Sequence, residues 1–377
     1  MAAAEAVRRA RRRPVTAQGD DAPGATHHLS VPADRFRRAG HGTSRARTEP
    51  HVVSNHARKL AHAREQRLGG GSRREAAARL SAATFIPTGL TGLDRLLGGG
   101  LRRGELTVLA ARTGMGKSML ALTFARHTAI RLRRMALVVS LEMSHAELTH
   151  RILAAESGVP TEKLQRARCD DTELATVAQT VLALQSAPLY LGGDMASPGL
   201  AEIQALHARY ARTGAKPELL VVDYLGLMNA PDTTSRERGV EAILDGLSHL
   251  AEEKDLAVVL VEQLDQALLE REDRRPRVTD MVHAEQIMPR AKTVILFHRP
   301  AYFAPQHREG RYDRSPDAGL YPEHLFPRFG LPEPTRQSAQ ISVSRHRGSR
   351  SGAAEVVVDL SRSQFSELPV DKELASR

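Results

Sequence analysis

Short runs of apolar residues alternate with longer amphipathic stretches from about residue 85 onward. Seven runs have the length and the Val, Leu, Ile or Ala content of β-strands, namely 106–110, 136–140, 219–223, 257–261, 293–297, 340–344 and 355–360. Between the early runs, apolar residues recur at helical spacing in 117–132, 144–156, 172–185, 199–212 and 237–253. Apolar strands separated by helices predict an α/β fold with a mostly parallel central sheet flanked by helices.

The first 80 residues follow a different pattern, with scattered Gly and Pro and little apolar periodicity. They contain 17 Lys and Arg against 7 Asp and Glu, so the whole formal charge of +10 lies in this segment. This composition predicts a basic, largely disordered leader, which either contacts phosphate backbones or is a solvated tail. Strong helix formers at 73–83 predict one short helix before the main domain.

Composition also bounds the rest of the chain. The main domain is predicted over 82–365, with a Pro-rich insertion at 300–337 that is longer than ordinary loops, and a tail at 366–377. The sequence lacks an apolar run of about 18 residues and the apolar stretch of a secretory signal. We therefore predict a cytoplasmic location without membrane contact, with an organelle transit peptide in the Arg-rich residues 1–14 as the alternative. The single cysteine, Cys169, excludes an internal disulfide and a cysteine-cluster metal site.

A glycine-containing string, A-R-T-G-M-G-K-S at 111–118, lies between a predicted strand and a predicted helix. This is the position of a phosphate loop, whose backbone N–H groups and following helix N-terminus bind phosphates. In such a loop Lys117 supplies charge to the β- and γ-phosphates and Ser118 offers a hydroxyl to Mg²⁺. The predicted nucleotide site therefore comprises Ala111, Arg112, Thr113, Gly114, Met115, Gly116, Lys117 and Ser118. The usual pattern begins with Gly, where Ala111 stands here.

Polar residues follow three other predicted strands, at the sheet edge where nucleotides bind in such folds. Asp223 ends the run L-L-V-V-D and is predicted to hold the Mg²⁺ shell; a strand-capping carboxylate is the alternative. Glu142 follows A-L-V-V-S and could orient and deprotonate the attacking water, although a surface carboxylate is common at such a place. Gln263 follows A-V-V-L-V-E and has an amide that could sense the γ-phosphate.

Several ordered motifs resemble the RecA-type motor domain of DnaB-type replicative helicases. The motifs are I-P-T-G-L-T-G-L-D-R-L-L-G-G-G-L at 86–101, V-L-A-A-R-T-G-M-G-K-S at 108–118, S-L-E-M-S at 140–144 and V-V-D-Y-L-G-L-M at 221–228. The stretch at 263–276 matches a further motif in part, and 344–352 resembles the segment with basic fingers. Ala111 is common in that family, so it supports the resemblance.

The resemblance implies a RecA-like P-loop NTPase that hydrolyses ATP with Mg²⁺ and moves along single-stranded DNA during replication. Motors of this type form rings of six with ATP between subunits, so copies of this chain, DNA and other replication proteins are the implied partners. Lys117 and Ser118 match the phosphate-loop pair, Glu142 the catalytic base, Asp223 the Mg²⁺ aspartate and Gln263 the sensor. The C-terminal motif adds two basic residues, an arginine finger that reaches the neighbour's ATP and a residue beside it: Arg347 and Arg345. A solvated basic loop is the alternative for these two.

DNA-contacting loops of this fold lie near 229–239 and 270–290. The candidates there for phosphate contacts are Arg236, Arg238, Arg271 and Arg274, with ordinary surface arginines as the alternative.

Three departures from the family pattern keep other functions open. The chain shows a basic leader in place of a helical N-terminal domain, Gln266 stands where an Arg is usual, and 280–292 loses the expected acidic and glycine-rich pattern. The helicase motor is the leading hypothesis. The alternative is a RecA-like DNA-binding ATPase without unwinding activity, such as a loader, recombination factor or regulatory ATPase. A third possibility is a family member that binds ATP but hydrolyses it poorly.

Overall fold

The structure is a computed structural model that describes residues 84–192, 198–212, 214, 216–231, 235–302, 336–345 and 352–368. The predicted leader and the helix at 73–83 lie outside the described residues. Of the predicted insertion and tail, the structure describes 300–302, 336–337 and 366–368.

The strands form a small ribbon and one large sheet. β1 (Phe85–Ile86) pairs antiparallel with β2 (Leu101–Arg102). The large sheet contains β3 (Leu106–Ala111), β4 (Met135–Ser140), β5 (Leu189–Gly192), β6 (Pro217–Asp223), β7 (Ala257–Gln263), β8 (Thr293–His298), β9 (Arg336–Arg345), β10 (Gly352–Asp359) and β11 (Gln364–Glu367). Its order is β11-β10-β9-β8-β3-β7-β6-β4-β5. The six strands from β8 to β5 are parallel and the other three are antiparallel, which confirms the predicted mostly parallel sheet.

Eight α-helices are described. They are α1 (Thr91–Leu97), α2 (Lys117–Arg126), α3 (His145–Ser157), α4 (Thr161–Gln165), α5 (Asp171–Leu184), α6 (Leu200–Ala211), α7 (Arg236–Lys254) and α8 (Ala284–Ile287). The helix predicted over 117–132 changes after Arg126 into a π-helical turn, His127–Arg131. Among the described helices, none combines the length and the apolar character that crossing a bilayer requires.

Alternation along the strands produces a core on each face of the sheet, as expected when helices cover both faces. One core contains Leu109, Val138, Val221 and Val261, packed against α2 and neighbouring helices. The other contains Val108, Val139, Val222 and Leu260 with α7. We call these the α2 face and the α7 face. Every strand residue therefore belongs to one face or the other, which decides where the polar residues at the strand ends lie.

The sequence patterns missed several short elements. β5 and β11 are four-residue edge strands without a fully buried residue, so they lack an apolar run. α1 has seven residues and depends on tertiary contacts, since Leu93 and Leu97 are buried and Asp94 accepts a 2.7 Å hydrogen bond from the Thr88 hydroxyl. β9 begins at Arg336, inside the predicted insertion, and β11 extends two residues into the predicted tail.

The carboxylate at the end of β10, next to the turn into β11, accepts several hydrogen bonds. Asp359 accepts hydrogen bonds from the Ser361 hydroxyl at 2.7 Å and from Arg362 Nη1 at 3.0 Å. Burial alone would raise the pKa of Asp359, but these hydrogen bonds outweigh it and the pKa lies below its ordinary value. A lowered folded-state pKa means that Asp359 stabilises the fold above its unfolded pKa of about 3.9, and that this contribution is lost as the pH falls through the folded pKa.

Asp359→Asn is therefore expected to lower the free energy of unfolding most near neutral pH. The difference from the unmodified protein should shrink as the pH falls from about 4 through the lowered pKa of folded Asp359, because below that pKa the carboxyl is neutral in the folded as in the unfolded protein. Urea unfolding over a series of pH values measures this difference. An equal loss at neutral and acid pH would contradict the assignment of the charged form as the stabilising one.

Candidate functional site

The predicted nucleotide residues lie at the carboxyl ends of adjacent parallel strands. β3 leads into the phosphate loop, and it is hydrogen-bonded in register to β7, which is followed in the sheet by β6 and β4. Asp223 and Gln263 come two residues after Val221 and Val261, so they share the α2 face with those core residues. The topology therefore brings together residues that are more than 100 positions apart in the chain.

The phosphate loop has the backbone that its glycines predict. Gly114 and Gly116 have φ values of 81° and 101°, a region that residues with a Cβ rarely adopt. Met115 is buried beneath the loop, and α2 begins directly at Lys117. The free N–H groups of this helix N-terminus and the loop backbone make a site suited to phosphate.

Lys117 contacts the predicted catalytic glutamate. Its Nζ lies 2.6 Å from Oε2 of Glu142, and its side chain is only 4% exposed. The same ammonium lies 5.2 Å from the centre of the Tyr224 ring, within the range of a cation–π contact. Glu142 is exposed, with 36% of its side chain accessible, and the Lys117 ammonium pairs with it across 25 residues of sequence.

Asp223 is buried at the end of β6. Burial raises its pKa and the Glu142 carboxylate adds to that effect, whereas the Ser118 hydroxyl and the Lys117 charge lower the pKa. Its Oδ1 is buried and has no hydrogen-bond partner among the described residues. A buried carboxylate oxygen without a donor, beside a serine hydroxyl, is a donor set that Mg²⁺ would accept. Groups of three or more His, Cys, Asp or Glu that could hold a metal on their own are absent from the described residues.

Gln263 contacts the phosphate loop from the neighbouring strand. The Thr113 hydroxyl donates to its Oε1 at 3.4 Å, and Ala111 is its register partner in β3. An amide at this place is within reach of a group that binds in the loop. The role of sensor stays a prediction, and so do the other predicted roles in this site.

The structure also shows two residues at the loop that the sequence patterns did not single out. Nη2 of Arg299 donates to the Gly114 carbonyl at 3.1 Å, and the Arg299 guanidinium lies 5.6 Å from the centre of the Tyr302 ring. Arg299 directly follows β8, the other neighbour of β3 in the sheet. Its place at the carboxyl end of a strand, like the places of Asp223 and Gln263, is the sequence signal that could have identified it.

The two predicted basic residues of the C-terminal motif lie at or beyond the end of a described range of the chain. Arg345 is the last residue of β9, opposite Thr293 of β8, and the placement of its side chain is outside the described part. Arg347 lies outside the described residues. The structure therefore leaves both assignments as predictions.

The four predicted DNA-contacting arginines divide into two pairs. Arg236 and Arg238 are exposed in the first turn of α7. Arg271 instead donates two 2.8 Å hydrogen bonds to Asp280, and Arg274 is only 2% exposed. The Asp280 carboxylate therefore holds the Arg271 guanidinium, whereas Arg274 is buried in the protein interior. In this conformation Arg274 is not available to a phosphate, and Arg271 is engaged with Asp280.

Known proteins are similar to this chain in sequence. The family model described as DnaB-like helicase C terminal domain matches residues 85–367. The replicative DNA helicase DnaB of Leifsonia xyli subsp. xyli is 36% identical over 233 residues, which are 61% of this chain and 50% of that protein. The replicative DNA helicase DnaB of Treponema pallidum is 35% identical over 215 residues, 57% of this chain and 48% of that protein. The chain thus spans about half the length of the curated relatives it matches.

Solved structures share the fold. The ATPase domain of G40P is similar with a TM-score of 0.63 and 22% identity, over 80% of this chain and all of that one. A DnaB-like replicative helicase, solved in a study of its interactions with primase, has a TM-score of 0.64 and 20% identity over 85% of this chain and 74% of that chain. These likenesses show that the chain shares the α/β fold of the two solved structures. Since the family model covers far more than half of the sequence, the chain belongs to the DnaB-like helicase C-terminal domain family.

Proposed function

We propose that this protein is an ATP-dependent DNA helicase motor of the DnaB type. It hydrolyses ATP at subunit interfaces in order to translocate on single-stranded DNA during DNA replication. The observation that carries the proposal is the contact of Lys117 with Glu142 at 2.6 Å, at the same sheet edge as the buried Asp223. A module that merely binds nucleotide has no need of a base next to its phosphate-loop lysine.

Each residue of the site has a role in this proposal. The loop from Ala111 to Ser118 binds the phosphates of ATP, and Glu142 orients and deprotonates the attacking water. Ser118 and Asp223 hold the Mg²⁺, which neutralises charge on the phosphates when it is bound. Gln263 senses the γ-phosphate.

The pairing of Lys117 with Glu142 implies an order of events. The phosphates of ATP compete with Glu142 for the Lys117 ammonium. Binding of the nucleotide therefore releases the base at the moment when its substrate is in place.

The proposed assembly is a ring of six copies, with ATP bound between neighbours. Arg347 is the finger that stabilises transition-state charge on the neighbour's ATP, and Arg345 is the basic residue beside it. Single-stranded DNA contacts exposed arginines such as Arg236 and Arg238. Other replication proteins are further partners, and the cytoplasm is the proposed location.

A second function, the alternative of an ATPase that does not unwind DNA, has one observation behind it: Arg271 is paired with Asp280 and Arg274 is buried. If Arg271 and Arg274 keep the contacts seen here, the DNA-contacting surface is less basic than the sequence indicates. Such a protein would be a DNA-binding ATPase that loads, recombines or regulates without unwinding.

One set of assays distinguishes these functions. ATP hydrolysis is measured with and without single-stranded DNA, and strand displacement is measured on a forked duplex, with Lys117→Ala as the inactive control. We expect DNA-stimulated hydrolysis together with displacement, and loss of both in Lys117→Ala. Stimulated hydrolysis without displacement would support the second function, and no hydrolysis by the unmodified protein would reject both.

A further inference from the structure

A fully buried carboxylate lies beside the predicted sensor. Glu262 is 1% exposed, and its Oε2 has no hydrogen-bond partner among the described residues. It precedes Gln263 and follows Leu260 by two positions, so its side chain is on the α7 face whereas that of Gln263 is on the α2 face. Removing a carboxylate from water costs free energy unless a partner compensates for the lost hydration, so we expect a compensating group in contact with Glu262.

That partner is an imidazole from a different segment of the chain. Nδ1 of His283 lies 3.4 Å from Oε1 of Glu262, and the His283 side chain is 12% exposed. His283 immediately precedes α8. The contact therefore joins the end of the sensor strand to the region where the sequence departs most from the family pattern.

Backbone hydrogen bonds place the same region against the strand end. The Val282 N–H donates to the Gln263 carbonyl at 3.1 Å, and the Asp265 N–H donates to the Asp280 carbonyl at 2.7 Å. Leu264 and Met281 form an isolated antiparallel bridge. We name residues 280–283 the strap, because they lie along the end of β7 and contact residues on both sides of Gln263.

The strap connects the nucleotide site to an exposed surface. Gln263 contacts Thr113 of the phosphate loop with its side chain and the strap with its carbonyl oxygen. Val282 is 52% exposed. The bidentate pair of Arg271 with Asp280 attaches the preceding loop to the strap.

We propose that Glu262 and His283 are positioning residues that hold the strap on β7, so that movement of Gln263 with the nucleotide is passed to the exposed Val282. This proposal rests on the proposed function, and it adds that the exposed side of the strap, within the predicted DNA-contacting loop at 270–290, faces single-stranded nucleic acid. Without the Glu262–His283 contact, the strap retains its backbone bonds to the strand end and the packing of the buried Met281, but no ionisable side chain joins it to β7. The nucleotide site would then stay intact while its communication with nucleic acid is lost.

Glu262→Gln, His283→Gln and the double variant test the pair in the full chain. Hydrogen–deuterium exchange of peptides covering 278–288 is followed with ADP and with an ATP analogue that is not hydrolysed. We expect faster exchange in each single variant, and loss of the difference between the two nucleotides. We also expect the concentration of single-stranded DNA for half-maximal ATPase stimulation to rise roughly tenfold, with KM for ATP in the absence of DNA little changed. The double variant should be no worse than the more affected single variant, because each removes the same contact.

Glu252→Gln is the matched control, since it removes an exposed carboxylate of α7 outside the predicted DNA-contacting loops and should leave all these readouts unchanged. Unchanged exchange in both single variants would overturn the proposal. Additive effects of the two substitutions, or a parallel fall of basal and stimulated hydrolysis, would also overturn it. If DNA does not stimulate the unmodified protein, the proposed function fails, and the exchange measurements with nucleotides alone still decide whether the pair holds the strap.

Discussion

Replacing Glu142 with glutamine is expected to lower kcat for ATP hydrolysis by about 10²- to 10⁴-fold, the range that a positioned general base contributes. Binding of ATP should be retained, because an amide has nearly the same shape and still accepts a hydrogen bond from Lys117. Single-turnover hydrolysis together with equilibrium binding of ATP measures the two effects separately. The substitution thus separates the chemistry from the binding that the phosphate loop performs.

Glu147→Gln is a suitable control for that experiment. Glu147 lies five residues later and accepts a 2.9 Å hydrogen bond from the Ser144 hydroxyl in the capping box of α3, away from Lys117. It should affect helix stability and leave kcat close to that of the unmodified protein. A Glu142→Gln variant with unchanged kcat would show that another group activates the water.

Replacing Glu156 with alanine is expected to lower the free energy of unfolding by about 3–5 kcal/mol, because it leaves a buried charge without its partner. Nε of Arg126 lies 3.0 Å from Oε1 of Glu156, and Arg131 approaches Oε2 at 3.1 Å. Burial lowers the pKa of the Arg126 guanidinium and the Glu156 carboxylate raises it. The ion pair therefore stabilises the charged form of the buried Arg126. Chemical denaturation measures the loss.

A double variant distinguishes a lost ion pair from lost packing. In Arg126→Leu/Glu156→Leu both charges are absent, so much of the stability should return. Glu162→Gln, which removes an exposed i,i+4 partner of Arg166, should cost at most about 1 kcal/mol. If the double variant is as unstable as Glu156→Ala, the buried charge is not the cause. The pair joins α2, which begins at Lys117, to α3, which follows Glu142, so its loss should also disturb the site.

Strand and helix positions were predictable wherever burial is strong. The five predicted parallel strands correspond to β3, β4, β6, β7 and β8, because a strand buried on both faces reads as a continuous apolar run. The edge strand β5 was missed because its residues are half-buried and have one neighbour, β4. The antiparallel arrangement of β9 to β11 was also not predictable, since the pairing direction does not appear in an apolar pattern.

Residues at strand ends were predictable for the same reason. Asp223 and Gln263 end apolar runs, and an alternating strand assigns each of them to a face. The contacts between them and their neighbours were not predictable. The Lys117–Glu142 pair and the attachment of Arg299 to Gly114 each depend on a residue far away in the sequence.

The sequence by itself determined the phosphate loop, the order of strands and helices along the chain, and the family, because these depend on local patterns of residue type. Tertiary structure alone decided that Lys117 contacts Glu142, that Arg271 and Arg274 turn inward, and that Glu262 meets His283 behind the sensor. The physical reason is that the pairing of two side chains depends on the distance between them and on their removal from water. These become defined only when parallel strands from distant parts of the chain lie side by side.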